Sequence, residues 1–302
     1  MMRAHPFGQR GVALVLVLWA IALMAVLLGS FALIAHTEQL ESRHVFDAVT
    51  ARYDAQAGLE RAVFELRNSD PAQRWVADGR PYEFVFDKAK VSVEINDESG
   101  KVDLNVADET MLTSLFISVG VEMDRAAALA DAIADWRDPD DLPRPNGAEV
   151  AEYKNAGLAY GPRNATFQTP SEVQQVLGMD YELYRKIEPA ITIYSGVPRP
   201  NAAFAPLEAL LALPGMTEEA ARQLIAARQQ IQPGQPNAPA LTLPDGTPLV
   251  ANGGGTTYTI KSRATLPNGA STVLDASIRL GGVGAAGRPY TVLRWRDDEA
   301  SQ

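Results

Sequence analysis

From Val12 to Ala35 the chain runs for 24 residues without one charged side chain, VALVLVLWAIALMAVLLGSFALIA. At a rise of ~1.5 Å per residue such a helix is about 36 Å long, enough to cross the hydrocarbon core of a bilayer. The eleven residues before it, MMRAHPFGQRG, carry Arg3 and Arg10. The positive-inside rule keeps that end cytoplasmic and puts the rest of the chain across the membrane. A secretory signal has a shorter apolar part that ends in a small-x-small cleavage site. This segment is too long for that and flows into more helix, so an uncleaved anchor is the simplest reading. These residues alone leave open whether residues 1–11 are removed. Between residues 37 and 67 there is no Pro and one Gly. Leu40, Val45, Ala48, Tyr53, Ala57, Leu59, Val63 and Leu66 form a helical stripe there. The pattern predicts one helix of more than 50 residues, whose amphipathic second half packs on a sheet or a partner.

The remaining sequence reads as α+β. Tyr82, Phe84 and Phe86 alternate, as do Val91, Val93 and Ile95, with Asp87–Lys90 between them, which predicts a β-hairpin. Lys101–Leu104 reads as a short extended piece. Helices are then predicted over about 106–119, with Asn105 as the cap, and over Asp124–Trp136, Ser171–Leu177, Tyr181–Ile187, Pro206–Leu213 and Thr217–Arg228. Residues 231–256 are rich in Pro, Gly, Asn and Gln and read as a loop or partly disordered tract. Strand patterns return at Thr257–Ser262, Thr272–Leu280 and Tyr290–Trp295, with a turn at Pro267-Asn268-Gly269. Strands thus bracket a helical insert, residues 105–230. The flanking parts, 36–104 and 257–302, are predicted to share one sheet against the long helix.

Composition removes several kinds of chemistry. The 302 residues include no Cys, and the three His, at 5, 36 and 44, all lie in the first 44 residues. Thiol catalysis, disulfides and a distal histidine site are excluded. A formal net charge of −10 weighs against nucleic-acid partners. The densest polar cluster is Asp135, Asp138, Asp140 and Asp141, followed by Gly147 and Glu149. Hard oxygen ligands at short spacing suit Ca²⁺. An EF-hand register from Asp138 fails at Leu142 and Pro143, which leaves an irregular calcium loop or a solvated acidic turn neutralised by Arg137 and Arg144. Asp97-Glu98-Ser99-Gly100 is a second acidic turn. As an acid–base pair it would make the chain a membrane-tethered periplasmic enzyme, but paired surface carboxylates are common and nothing else marks catalysis. Leu213-Pro214-Gly215 between two short helices resembles a helix-hairpin-helix unit. Glu218 and Glu219 follow it and only Arg222 and Arg228 are near, so a structural helix pair is favoured over DNA binding. Gly253-Gly254-Gly255 has neither a strand–helix context nor a following Lys and is not a phosphate loop.

Taken together, Arg10-Gly11-Val12-Ala13-Leu14, the run Asp97 to Asn105, Asp135-Trp136-Arg137-Asp138, Gly147-Ala148-Glu149, and Pro206-Leu207-Glu208 through Leu213-Pro214-Gly215 make the whole chain similar to the K-type minor pseudopilins of bacterial type II secretion. The resemblance implies a pilin-like fold interrupted by a large helical domain and no enzymatic activity. It implies that prepilin peptidase cuts after Gly11 and that the new N-terminus, Val12, is methylated. Removing the leader 1–11 takes Arg3 and Arg10 with it, from −10 to −12. The fifth mature residue is then Leu16, where most pilins carry Glu, and this departure is itself K-type. A carboxylate in lipid needs a positive partner, such as a neighbouring subunit's terminal amine. A subunit without it suits the tip of a fibre. The resemblance also implies Ca²⁺ near the insert, with Asp135, Asp138, Asp140, Asp141 and Glu149 as candidate ligands, and I-type and J-type minor pseudopilins and the inner-membrane assembly platform as partners. It places residues 12–35 in the inner membrane as a single pass, with the large domain in the periplasm. A minor pilin of a type IV pilus or DNA-uptake machine is the rival reading.

Overall fold

The computed structural model describes residues 12–232, 241–244, 246–249, 254–281 and 287–299. The predicted leader, including Gly11, and residues 233–240, 245 and 250–253 of the Pro/Gly-rich tract lie outside the described residues. One helix, α1, runs Val12–Leu66, 55 residues or about 82 Å at ~1.5 Å per residue. No Pro interrupts it. Ser30, Thr37 and Thr50 fold their hydroxyls back onto the carbonyl four residues earlier, at 2.8–3.0 Å. The apolar residues from Val12 to Ile34 are all exposed. Burial begins only at Ala51 and then recurs along one stripe, through Asp54, Ala55, Gly58, Leu59, Ala62 and Val63. The chain therefore has one long apolar N-terminal helix and a large domain that begins beyond it.

That stripe lies on a five-stranded antiparallel sheet, β1 Asp78–Phe86, β2 Ala89–Asp97, β5 Thr257–Thr265, β6 Ser271–Leu280 and β7 Tyr290–Glu299, in the spatial order β1-β2-β5-β6-β7. Helix α1 crosses β2, β5 and β6. In β2 alternate residues Val91, Val93 and Ile95 point into this layer, as the period-two pattern requires. Each of Leu59, Ile95, Ile260 and Ile278 is fully buried there and contributes about 1.5–3 kcal/mol of hydrophobic stabilisation. Half of the buried residues on α1 are Ala or Gly, so the helix lies close to the strands. At Gly58 a Cβ would come within 2.1 Å of the Ser262 hydroxyl and 2.8 Å of a Val91 methyl.

Between β2 and β5 the chain builds a second core. Its elements are β3 Val102–Asp103, α2 Glu109–Ser118, α3 Met123–Arg137, α4 Val150–Asn155, α5 Tyr181–Ile187, β4 Ile191–Thr192, α6 Leu207–Leu211 and α7 Glu218–Gln230. Leu112, Leu115, Phe116, Leu129, Ile133, Trp136, Tyr153, Ile187 and Leu210 fill it. The strands β3 and β4 pair in parallel, Val102 with Ile191 and Asp103 with Thr192, and tie the start of the insert to the segment between α5 and α6.

Several local expectations are corrected. Asn105 does not cap α2. Asp108 does, its carboxylate accepting from the Met111 N–H at 2.7 Å. The Asn105 amide is drawn instead to Phe167, donating to its carbonyl at 3.1 Å and accepting from its N–H at 2.7 Å. The helix expected over Ser171–Leu177 is a 3₁₀ segment, Pro170–Gln175. The described part of the 231–256 tract is irregular and lies partly against the insert. Thr242 bridges Pro248, and Leu241, Leu243 and Leu249 pack on its core. Thr217 does cap α7, accepting from Ala220 at 3.2 Å.

Candidate functional sites

The turn Asp97–Gly100 is where the insert leaves the sheet. Asp97 ends β2, and its carboxylate accepts from the Ser99 N–H at 2.8 Å and from the Gly255 N–H, on the returning chain, at 2.8 Å. Burial pushes its pKa up, against the lowering effect of those hydrogen bonds. Gly254 and Gly255 pass so close to this carboxylate that a Cβ on either would lie 2.5 or 2.9 Å from it. Glu98 is 2% exposed. It accepts from Lys101 Nζ at 2.5 Å, from the Thr259 hydroxyl of β5 at 2.6 Å and from the Thr192 hydroxyl of β4. One carboxylate thus ties the sheet to the insert, and Thr259 extends the chain of polar contacts to Ser277 of β6 at 2.9 Å. At Gly100 a Cβ would sit 2.5 Å from the Phe204 backbone. In the polar run that sequence left as a conceivable acid–base pair, both carboxylates are buried in structural contacts.

A second joint lies nearby. Arg228, near the end of α7, is 6% exposed and donates to the carbonyls of Ala202 at 2.9 Å and Asp78 at 3.3 Å. Burial lowers its pKa to about 10, partly opposed by Asp78. Arg80 of β1 pairs with Asp78 at 2.7 Å and reaches the Arg228 and Ile231 carbonyls. The other cation of the helix-hairpin-helix-like unit, Arg222, pairs with Glu218 at 2.7 Å. Leu213, Pro214 and Gly215 do form the hairpin, with Gly215 at φ 74°. Of its two nearby cations, Arg228 is buried and Arg222 is paired with Glu218 on its own helix.

The acidic loop follows α3. Asp135 is fully buried and acts as its organiser. It accepts from the Arg144 guanidinium at 2.8 Å and from the Ala148 N–H at 2.9 Å. The loop closes around it so tightly that a Cβ at Gly147 would fall 1.9 Å from its Oδ2. Arg144 also binds Asp138, and Glu109 at 3.0 Å, and these bonds hold its pKa above the ordinary arginine value. Arg137, expected to neutralise the loop, spends its hydrogen bonds on the Leu104 and Ala107 carbonyls at 2.5 and 2.6 Å. Asp140 Oδ1 accepts from the Leu142 N–H at 2.9 Å, and Asp141 accepts from Asn164 at 2.9 Å.

Glu149 is the anomaly. It is 4% exposed, and neither carboxylate oxygen has a partner among the described residues. Burial, and then the charges of Asp135, Asp138, Asp141 and Asp140, push its pKa up to about 7. Asp138 Oδ1 is likewise buried and unpaired. These are oxygen acceptors lacking donors, the chemistry that a hard cation satisfies, so the donor set fits Ca²⁺. Among the described residues no three His, Asp or Glu side chains are already gathered as a ligand group. Arg144 instead bridges Asp135 and Asp138.

A long, partly apolar helix laid on an antiparallel sheet, with a helical domain spliced between two strands, is a pilin-like fold. The family model for type II secretion system protein K matches residues 93–199, the span from the β2 strand through both acidic turns. A type II secretion system protein K from Klebsiella pneumoniae is 29% identical over 247 residues, 73% of this chain and 75% of the relative. One from Pseudomonas aeruginosa is 27% identical over 254 residues, 76% and 70% of the two chains. A chain from the crystal structure of the GspK–GspI–GspJ complex of enterotoxigenic Escherichia coli shares the fold, with a TM-score of 0.54 at 18% identity over 88% of this chain and 99% of that one. Over residues 93–199, and across about three quarters of its length, the chain is similar to type II secretion system protein K.

Proposed function

We propose that this chain is a non-enzymatic minor pseudopilin at the tip of the type II secretion pseudopilus, where it primes assembly and supports export of folded proteins across the outer membrane. The observation that carries this reading is where the insert sits. The β5–β6 turn is tied back to the middle of α1, Asn268 donating to Asp47 at 2.7 Å. The opposite end of the sheet lies by the end of α1, where Arg67 donates to the Pro289 carbonyl at 3.2 Å. Asp97 and Thr257, between which the insert is spliced, are at that far end. The insert therefore crowns the subunit on the side remote from the apolar helix half, in the position of a cap.

In this reading the segment 12–35 holds the chain in the inner membrane, with the sheet and insert in the periplasm, and later joins the fibre core. Prepilin peptidase cuts between Gly11 and Val12. Leu16 offers no carboxylate to the terminal amine of a neighbour, so nothing is added above this subunit. I-type and J-type minor pseudopilins are the partners, as in the E. coli complex whose chain shares this fold. Ca²⁺ belongs to the same reading. Asp138 and Glu149 would hold it with Asp140 and Asp141, and the bound ion would supply the positive charge that buried Glu149 lacks. Asp135 shapes the loop around it.

The test is the mass of the N-terminal peptide from membrane-extracted protein made with and without prepilin peptidase, followed by co-purification with the I-type and J-type subunits. A peptidase-dependent start at Val12, with both partners retained, is the expected result. Residues 1–11 persisting beside active peptidase would return the chain to a simple anchored protein.

A further inference from the structure

We propose that Asn164, which lies outside the acidic run, supplies a neutral oxygen ligand to the cation site of the acidic loop. This rests on the calcium reading above and adds to it a residue that no acidic motif contains.

Among the described residues, nine buried side-chain polar atoms have no hydrogen-bond partner, and four of them belong to this loop and its neighbour. They are Asp138 Oδ1, Glu149 Oε1 and Oε2, and Asn164 Oδ1. All four are acceptors. A water molecule has two hydrogens to offer four oxygens, whereas a divalent cation satisfies oxygens without hydrogens. Asn164 is fixed to the same loop. Its Nδ2 donates to the Asp140 carbonyl at 3.1 Å and to the Asp141 carboxylate at 2.9 Å. Both partners are acceptors, so the bonded end of the amide is the nitrogen and the free end is the oxygen. The residue sits at φ 51°, in the left-handed region that Asn tolerates better than most side chains. Backbone and amide are thus both set, and the one group left over is the carbonyl oxygen.

The electrostatics favour a neutral donor at this position. Glu149 already feels four neighbouring carboxylates. A fifth acid at 164 would add repulsion to the cation-free loop, while an amide oxygen adds a hard ligand and no charge.

The experiment titrates Ca²⁺ into the full-length, detergent-solubilised protein by calorimetry, with Tb³⁺ luminescence sensitised by nearby Trp136 as a second readout. Asn164→Gly keeps the left-handed backbone and removes the oxygen. Asn164→Asp keeps an oxygen. Circular dichroism confirms that each variant is folded. The expected result is at least a ten-fold loss of Ca²⁺ affinity in Asn164→Gly, with Asn164→Asp binding at least as tightly as the natural chain. Wild-type affinity in Asn164→Gly overturns the proposal, and so does loss of binding in both variants, which marks a structural role. No binding by the natural chain removes the calcium reading itself, and this proposal with it.

Discussion

The guanidinium of Arg80, in the first strand of the sheet, donates to the carbonyl of Arg228, at the end of the last insert helix, at 2.8 Å across 148 residues of sequence. The same guanidinium pairs with Asp78, which is 3% exposed. Two cations and one carboxylate thus weld the C-terminal end of α7 to the start of β1. Arg80→Ala leaves Asp78 buried without its partner and uncaps the helix carbonyls. A loss of about 3 kcal/mol is expected in urea denaturation, as for other broken buried pairs. Amide exchange should rise first in residues 218–231, and unchanged protection there would show that the weld is dispensable.

At Gly58 helix α1 lies so close to the sheet that a Cβ has no room. Ala there must push Ser262 and Val91 aside, and Val must displace the helix. Overpacking of this kind costs about 1–3 kcal/mol. Thermal unfolding should register it for Gly58→Ala, with a larger fall for Gly58→Val. Ala at this position raises helix propensity by about 1 kcal/mol, so a net gain in stability would mean that the layers can separate freely.

Asp54 lies in the same interface, 5% exposed, with Oδ2 unpaired among the described residues. Burial, and then the charge of Asp87, raise its pKa above the usual 3.8. A carboxyl with a raised folded pKa binds its proton more tightly when folded. Its contribution is therefore most favourable below pH 3.8 and is lost as pH rises through the raised value. Asp54→Asn should be more stable than the natural chain at pH 7, with the difference shrinking toward pH 4. Denaturation midpoints across that range test it, and a pH-independent difference would contradict it.

Arg144 is the resident counter-ion of the acidic loop, bonded to Asp135, Asp138 and Glu109. Arg144→Gln should destabilise the calcium-free protein by about 1–3 kcal/mol, since it strips hydrogen bonds from charged groups. The midpoint shift on adding Ca²⁺ should be larger in the variant than in the natural chain, because a competing cation has gone. An equal or smaller shift would mean that the guanidinium helps to build the site.

Much of this architecture is legible before any coordinates. The Pro-free run from Val12 to Leu66 and the alternation of Val91, Val93 and Ile95 are local patterns, and local patterns survive folding. What sequence missed depends on distant partners. Asn105 and Asp108 are both good caps, and Asn105 was lost to Phe167, 62 residues away. Helix α4 has six residues, too few to show a period. The acidic run was visible as a run, but Arg137 and Arg144 could not be told apart until one turned to the backbone of 104–107. Asn164 carries no charge and gave no motif a foothold. Glu98 looked like a surface carboxylate because Thr192 and Thr259, which enclose it, come from 94 and 161 residues further on.

Asp97 and Tyr258 face each other across β2 and β5, so the strands that flank the insert are adjacent antiparallel neighbours. Without the intervening residues the sheet would be a plain meander, β1-β2-β5-β6-β7, and the insert occupies the place of one hairpin turn. Closing a flexible loop of about 160 residues instead of about 4 would cost roughly 3 kcal/mol more. The β3–β4 pair closes the larger part of that loop, and the Gly255 N–H on the Asp97 carboxylate fastens the returning chain beside its point of departure. An assembly surface grafted at such a point can grow, shrink or be exchanged while the shaft that carries it keeps the same strand register.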